Sequence, residues 1–151
     1  MLKIHDFNSS NSKGNLGELR FLKTHPEWTK IGDGYTVADF KCGDTTLELK
    51  TDFYSMDKTP NFFMEYISNG NTGTIGGPFR DTSINYFVYY YYNDNMAYWF
   101  NTKELVDKIK SIYHKSDLVP VKNPYFTSYG FKVNRNVLSD ILLKTEKLMT
   151  N

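Results

Sequence analysis

Between Ile84 and Phe100 the chain reads Ile-Asn-Tyr-Phe-Val-Tyr-Tyr-Tyr-Tyr, then Asn93-Asp94-Asn95, then Met-Ala-Tyr-Trp-Phe. A nearly unbroken aromatic and aliphatic run suits a strand covered on both faces. The Asn-Asp-Asn stretch supplies turn residues, so the two runs form a hairpin. Such a hairpin obliges the rest of the chain to build a layer on each side of a sheet. With 151 residues, 40% hydrophobic and 17% aromatic, the material suffices for one folded domain, residues 1–151. Most of these tyrosines read as core or sheet-cover residues, although aromatic rings can also stack on bases.

A second hairpin is equally legible. Val37, Phe40, Leu47 and Leu49 recur among polar residues with a period near two, and Gly43-Asp44 supplies the turn. A loop centred there pairs Cys42 with Thr45, Lys41 with Thr46, Phe40 with Leu47, and Asp39 with Glu48. Asp39 and Glu48 then face each other, with Lys50 two residues beyond on the same face. Ala38, Phe40, Leu47 and Leu49 take the core face. A slip of one residue would bury the acids and expose the leucines, so the register is well specified.

Two carboxylates directly opposite on a sheet repel. A divalent cation removes that penalty, and two carboxylates plus a backbone carbonyl and waters suit Mg²⁺, which also binds substrate phosphate. Such an ion makes its bound water more acidic and stabilises charge on a phosphate in transfer. Lys50 is set to orient the attacking water or to neutralise the developing charge. The plainer reading is three solvated charges on an exposed sheet face.

The segment from Asp39 to Glu48-Leu49-Lys50 resembles the active-site hairpin of the PD-(D/E)xK nuclease superfamily, with Asp39 as first acid, Glu48 as second and Lys50 as the lysine. Ala38 stands where the superfamily pattern has Pro. The resemblance implies a restriction-endonuclease-like α/β fold, a central mixed sheet of about five strands flanked by helices. It implies a DNA endonuclease that uses Mg²⁺ or Mn²⁺, held by Asp39, Glu48 and the Leu49 backbone carbonyl. It adds Glu18 as a first-helix acid joining the metal site through water, in Gly14-x-x-Gly17-Glu18. Within the superfamily the chain is similar to small phage-encoded nucleases and Holliday-junction resolvases, some of which carry an F-x-E-Y strand like Phe63-Met64-Glu65-Tyr66.

Along the chain, residues 5–13 read as a polar loop with several candidate N-caps. Residues 14–23 read as a helix with Leu16, Leu19 and Leu22 as its buried stripe, ended by His25-Pro26, with Trp28 as a core cover. After a loop, residues 61–67 read as a strand with Phe63, Glu65 and Ile67 on one face. Glu65 amid apolar residues needs a reason: a solvent-facing edge, pairing with Lys50 or Arg80, or a supporting place beside the metal. Residues 68–80, with four Gly and one Pro, read as a mobile loop whose Thr72, Thr74 and Arg80 can touch DNA phosphates. Asn101 and Glu104 open a helix to about residue 114, with Leu105, Ile109 and Ile112 apolar. Residues 115–125 read as a loop, 125–133 as a strand, and 136–149 as a closing helix with Leu138, Ile141, Leu142 and Leu148 apolar. Lys122, Lys132 and Arg135 are further candidate contacts to the DNA backbone.

A net charge of +1 neither demands nor excludes nucleic acid. Cys42 is the only cysteine, which excludes an intrachain disulfide and a Cys-based zinc site. His5, His25 and His114 are too scattered to suggest a zinc site. No leader-like apolar region or membrane-length apolar stretch is present, so a soluble, cytoplasmic protein is expected, in the host cytoplasm if phage-encoded. The abundance of Asn, Lys, Tyr and Ile suits an AT-rich genome such as a phage's. DNA is the expected partner, with a symmetric homodimer a natural arrangement for cutting two strands. The alternatives are a catalytically inactive DNA-binding module of nuclease fold, or a phage accessory interaction protein using its aromatic sheet as an interface.

Overall fold

The computed structural model describes residues 14–31 and 38–150. The 5–13 loop expectation and Val37 lie outside them. In chain order the elements are helix α1 (14–24), β1 (Thr29–Lys30), β2 (Phe40–Cys42), β3 (Thr45–Asp52), β4 (Asn61–Asn69), β5 (Thr74–Ile75), β6 (Tyr86–Tyr91), β7 (Met96–Asn101), α2 (Thr102–Ile112), β8 (Val119–Lys122), β9 (Thr127–Asn134) and β10 (Leu142–Glu146), with short 3₁₀ turns between.

The molecule is mixed α/β, but its strands form two sheets where one of about five strands was expected. The larger has six strands in the order β1-β2-β3-β6-β7-β10, and the smaller four, β5-β4-β9-β8. β3 and β6 pair in parallel and the other paired strands are antiparallel.

The aromatic strand β6 lies inside the larger sheet and alternates between two cores. Phe87, Tyr89 and Tyr91 face one way, onto Phe62 and Met64 of β4, Phe131 and Val133 of β9, and Leu105 and Ile109 of α2. Val88 and Tyr90 face the other way, onto Phe40, Leu47, Leu49 and Phe21 of α1. Helices thus cover opposite faces as expected, but most of one face is closed by the second sheet.

Several local expectations are corrected. In α1, Leu16 and Leu19 are exposed, and the helix instead packs through Gly17 and Phe21, one turn apart. A Cβ on residue 17 would meet the Thr51 hydroxyl at 2.0 Å, so glycine sets the closeness of α1 to β3. Ile112 is exposed at the end of α2. Residues 68–80 contain β5 and a 3₁₀ turn at Gly77–Phe79, whose Pro78 is buried and whose Phe79 ring meets Tyr66 and Phe131. Within 115–125 the chain forms edge strand β8, where Pro120 is tolerated because an edge need not donate on its open side.

The closing helix is not formed. A 3₁₀ turn at Arg135–Leu138 leads into β10, which pairs with β7. The edge of β7 offers unpaired backbone groups, and covering them outweighs the helical spacing of Leu138, Ile141 and Leu142. Glu146 fixes β10 by accepting from the Trp99 indole N–H at 2.9 Å, with His25 Nε2 2.6 Å from the same oxygen.

Candidate active site

β3 is the spine of the site. Leu47 and Leu49 point into the core beneath α1, so the period of two sends Glu48, Lys50 and Asp52 to the opposite face. In the parallel register these three lie beside Phe87, Tyr89 and Tyr91, on the face that packs against the second sheet. Glu48 is therefore withdrawn from water by the same packing that builds the core, while Lys50 remains exposed.

The predicted hairpin ladder forms from Cys42↔Thr45 to Phe40↔Leu47 and stops there, so Asp39 is not a ladder partner of Glu48. The Asp39 N–H donates to the Leu47 carbonyl at 2.9 Å, although Leu47 is already the partner of Phe40. Ile31 N–H donates to the Asp39 carbonyl at 2.8 Å. This displaced backbone lets the Asp39 carboxylate reach over β3 and accept from Leu49 N–H at 2.7 Å. The two acids still converge, through a side-chain cap on β3 instead of a cross-strand pair.

Their electrostatics reflect that convergence. Burial pushes the Asp39 carboxyl up to about 6; the Leu49 hydrogen bond restrains the shift, Glu18 adds to it and Lys30 opposes it. Burial, and then the Asp39 charge, push Glu48 up to about 8, with Arg80 and Lys50 pulling down and Glu65 pushing up. Burial also raises Glu65, offset by Lys50. Of the three explanations open for Glu65, its Coulombic partner among the described residues is Lys50, and it stands close enough to act on Glu48.

Glu18 projects from the first turns of α1 and is ion-paired with Lys30 of β1, its side chain 19% exposed. The pair stands beside Asp39, with no ion pair from Glu18 to β3. Arg80 follows the Gly77–Phe79 turn and reaches the field of Glu48. Thr72 and Thr74 lie at the β4–β5 hairpin tip, bonded to each other at 2.6 Å. Lys132 is exposed on β9 opposite Phe63. Arg135 is turned inward: it donates to the Thr59 and Met56 carbonyls at 2.8 and 3.1 Å and to the Tyr91 hydroxyl at 3.1 Å. That guanidinium pins the turn before β4 to β6, which leaves little of it for a DNA phosphate.

Two neighbours escaped the sequence reading, and Arg80, expected beside Glu65 or a DNA phosphate, acts on Glu48 through its charge. Lys30 partners Glu18, and Tyr89 donates its hydroxyl to Asp52 while accepting from Phe63 N–H at 3.1 Å. The last contact joins β3, β6 and β4 beside Lys50, and burial with the adjacent Asp52 charge raises the Tyr89 pKa. The Gly76-Gly77-Pro78 run was the one local hint that Arg80 is held by something rigid.

Among the described residues no three His, Cys, Asp or Glu side chains form a ready cation cage. No described helix is long and apolar enough to cross a membrane. Comparison of the chain with protein-family models, curated proteins and solved structures finds no match.

Proposed function

We propose that this chain is a Mg²⁺- or Mn²⁺-dependent endodeoxyribonuclease of PD-(D/E)xK type, with a restriction-endonuclease-like fold, that hydrolyses DNA phosphodiester bonds, either selectively on branched DNA such as a Holliday junction or as a nicking enzyme. The observation that carries the reading is the pair Asp39 and Glu48. Both carboxyls are half-buried and raised, and Asp39 is locked onto the N–H of the residue between Glu48 and Lys50. Holding two acids together away from water costs stability unless something of opposite charge joins them.

The donor chemistry fits a hard dication. Both side chains offer carboxylate oxygens. In a strand the N–H and C=O of one residue project off the same edge, and Leu49 N–H is directed at Asp39 beyond the end of β2. The Leu49 carbonyl therefore projects off that edge, outside the β3–β6 ladder, as a third oxygen. When bound, the ion would supply Lewis acidity and a more acidic water.

The chain's own side chains do the rest. Lys50, on the Glu48 face, orients the attacking water and offsets charge gathering on the phosphate. Arg80 approaches Glu48 from the second sheet and adds a cation that can grip the phosphate in a fork. Glu65 steadies Lys50, and Glu18 with Lys30 forms the outer shell of Asp39, where it would act through water. Two such sites, one per strand, suit a homodimer, which sedimentation in solution would test. In a phage-encoded protein the work would be done in the host cytoplasm. The accessory-protein alternative wanted an exposed aromatic sheet, whereas Tyr89, Tyr90 and Tyr91 are fully buried.

The test is a cleavage assay on supercoiled plasmid, linear duplex and a four-way junction, with Mg²⁺, Mn²⁺ or EDTA. Wild type is expected to cut only with metal, and Glu48→Ala and Lys50→Ala to cut slower by about 10² or more. Undiminished cutting by Lys50→Ala removes its assigned role. No cutting of any substrate favours the inactive DNA-binding module.

A further inference from the structure

We infer that the substrate of this site includes an unpaired DNA strand, seated in the cleft that opens beside Lys50 and Glu65; the inference rests on the nuclease reading above. The cleft is about 1220 Å³, larger than the roughly 300–1,000 Å³ of small-molecule pockets. Its lining runs from the end of β3 to residues of β4, β8 and β9, and it meets the proposed site at Lys50.

Its lining combines two chemistries. Lys50, Lys58 and Lys132 are exposed cations along it. The same lining includes Phe53, Tyr54, Phe63 and Phe126. Tyr54 is 72% exposed, the most exposed large hydrophobic side chain described. The Phe63 ring tip occupies the space where a Cβ of residue 130 would stand, at 2.5 Å, so Gly130 lets that ring lie down along the sheet floor. Cations for the backbone together with rings for the bases are what a single strand requires; a duplex keeps its base faces stacked inside and cannot use the rings. The two acids of the lining are both engaged: Asp52 accepts from Tyr89 and from Tyr54 N–H, and Glu65 faces Lys50.

The test uses the full chain in EDTA, where cutting is absent, and reads fluorescence anisotropy of end-labelled oligothymidine and of a duplex of equal length. Oligothymidine is expected to bind more tightly. Tyr54→Ala should weaken it about tenfold, consistent with loss of one stacked base. Lys58→Ala with Lys132→Ala should lower the slope of log affinity against log salt by about 1.4, at about 0.7 per phosphate contact on single strands. Both variants change exposed side chains, and unchanged thermal unfolding checks that they fold; Lys110→Ala, an exposed residue of α2 outside the cleft lining, should bind as wild type does. Duplex bound as tightly as oligothymidine, or affinity indifferent to Tyr54→Ala, overturns the proposal even if the protein cuts duplex with metal. Tight oligothymidine binding lost in Tyr54→Ala upholds it even if no substrate is cut, in which case only the nuclease reading fails.

Discussion

Gly77 is held by two constraints at once. Its φ is +55°, and a Cβ there would stand 2.2 Å from the Glu65 carbonyl oxygen. Any side chain must therefore move β4 or the turn that carries Arg80. Gly77→Ala is expected to destabilise the fold by about 1–3 kcal/mol, read as a lower midpoint in urea, and to reduce cleavage beyond the loss of folded protein because Arg80 leaves Glu48. A midpoint within error of wild type would contradict this close approach. Asp39, Glu48 and Lys50 were readable as a group because the residues between them carry their own turn and alternation. Arg80 and Lys30 were not, because their partners are set by packing between sheets and by α1, which no local pattern encodes. Nor did alternation foresee that Asp39 leaves the ladder, since it requires two residues of one strand to share the Leu47 partner.

Elements were legible where capping or turn chemistry marked them. α2 begins where Asn101 accepts from Glu104 N–H at 3.1 Å, as the Asn-x-x-Glu spacing predicts. Asn101→Ala should cost about 1 kcal/mol in chemical unfolding without altering catalysis, since the cap touches nothing at the site. The element misread most completely is β10, because Leu138, Ile141 and Leu142 fit helical spacing and the open edge of β7 is invisible to a local reading. Its anchor is Glu146 beneath Trp99. Glu146→Ala would leave the largely buried Trp99 N–H without its acceptor, at about 1–3 kcal/mol, and an unchanged thermal midpoint would count against this anchor.

At the scale of the whole molecule, the doubly covered aromatic strand correctly demanded a layer on each side of a sheet, yet it could not say that one layer is itself a sheet. β4 and β9 alternate like strands of any sheet, and only the pairing in space separates them. That second sheet packs on the face that carries Glu48 and leaves it half-buried, and so couples the acids to global stability. Asp39 is raised from 3.8 to about 6 and Glu48 from 4.5 to about 8, so between about pH 4 and about pH 8 the folded chain holds protons the unfolded chain has released. Stability with respect to these groups is then greatest below about pH 4, where both states are protonated, and falls as pH rises to about 8. Mg²⁺ competes with those protons, so its stabilisation should grow over the same interval. In EDTA the thermal midpoint is expected to fall between about pH 5 and about pH 8. Mg²⁺ should leave it nearly unchanged at the lower pH and raise it at the upper by roughly 2–4 °C per kcal/mol of binding free energy. Asp39→Asn with Glu48→Gln should flatten the profile and abolish the Mg²⁺ response. An equal Mg²⁺ shift at both pH values would dissociate the buried pair from the ion, and with it the site from metal-assisted chemistry.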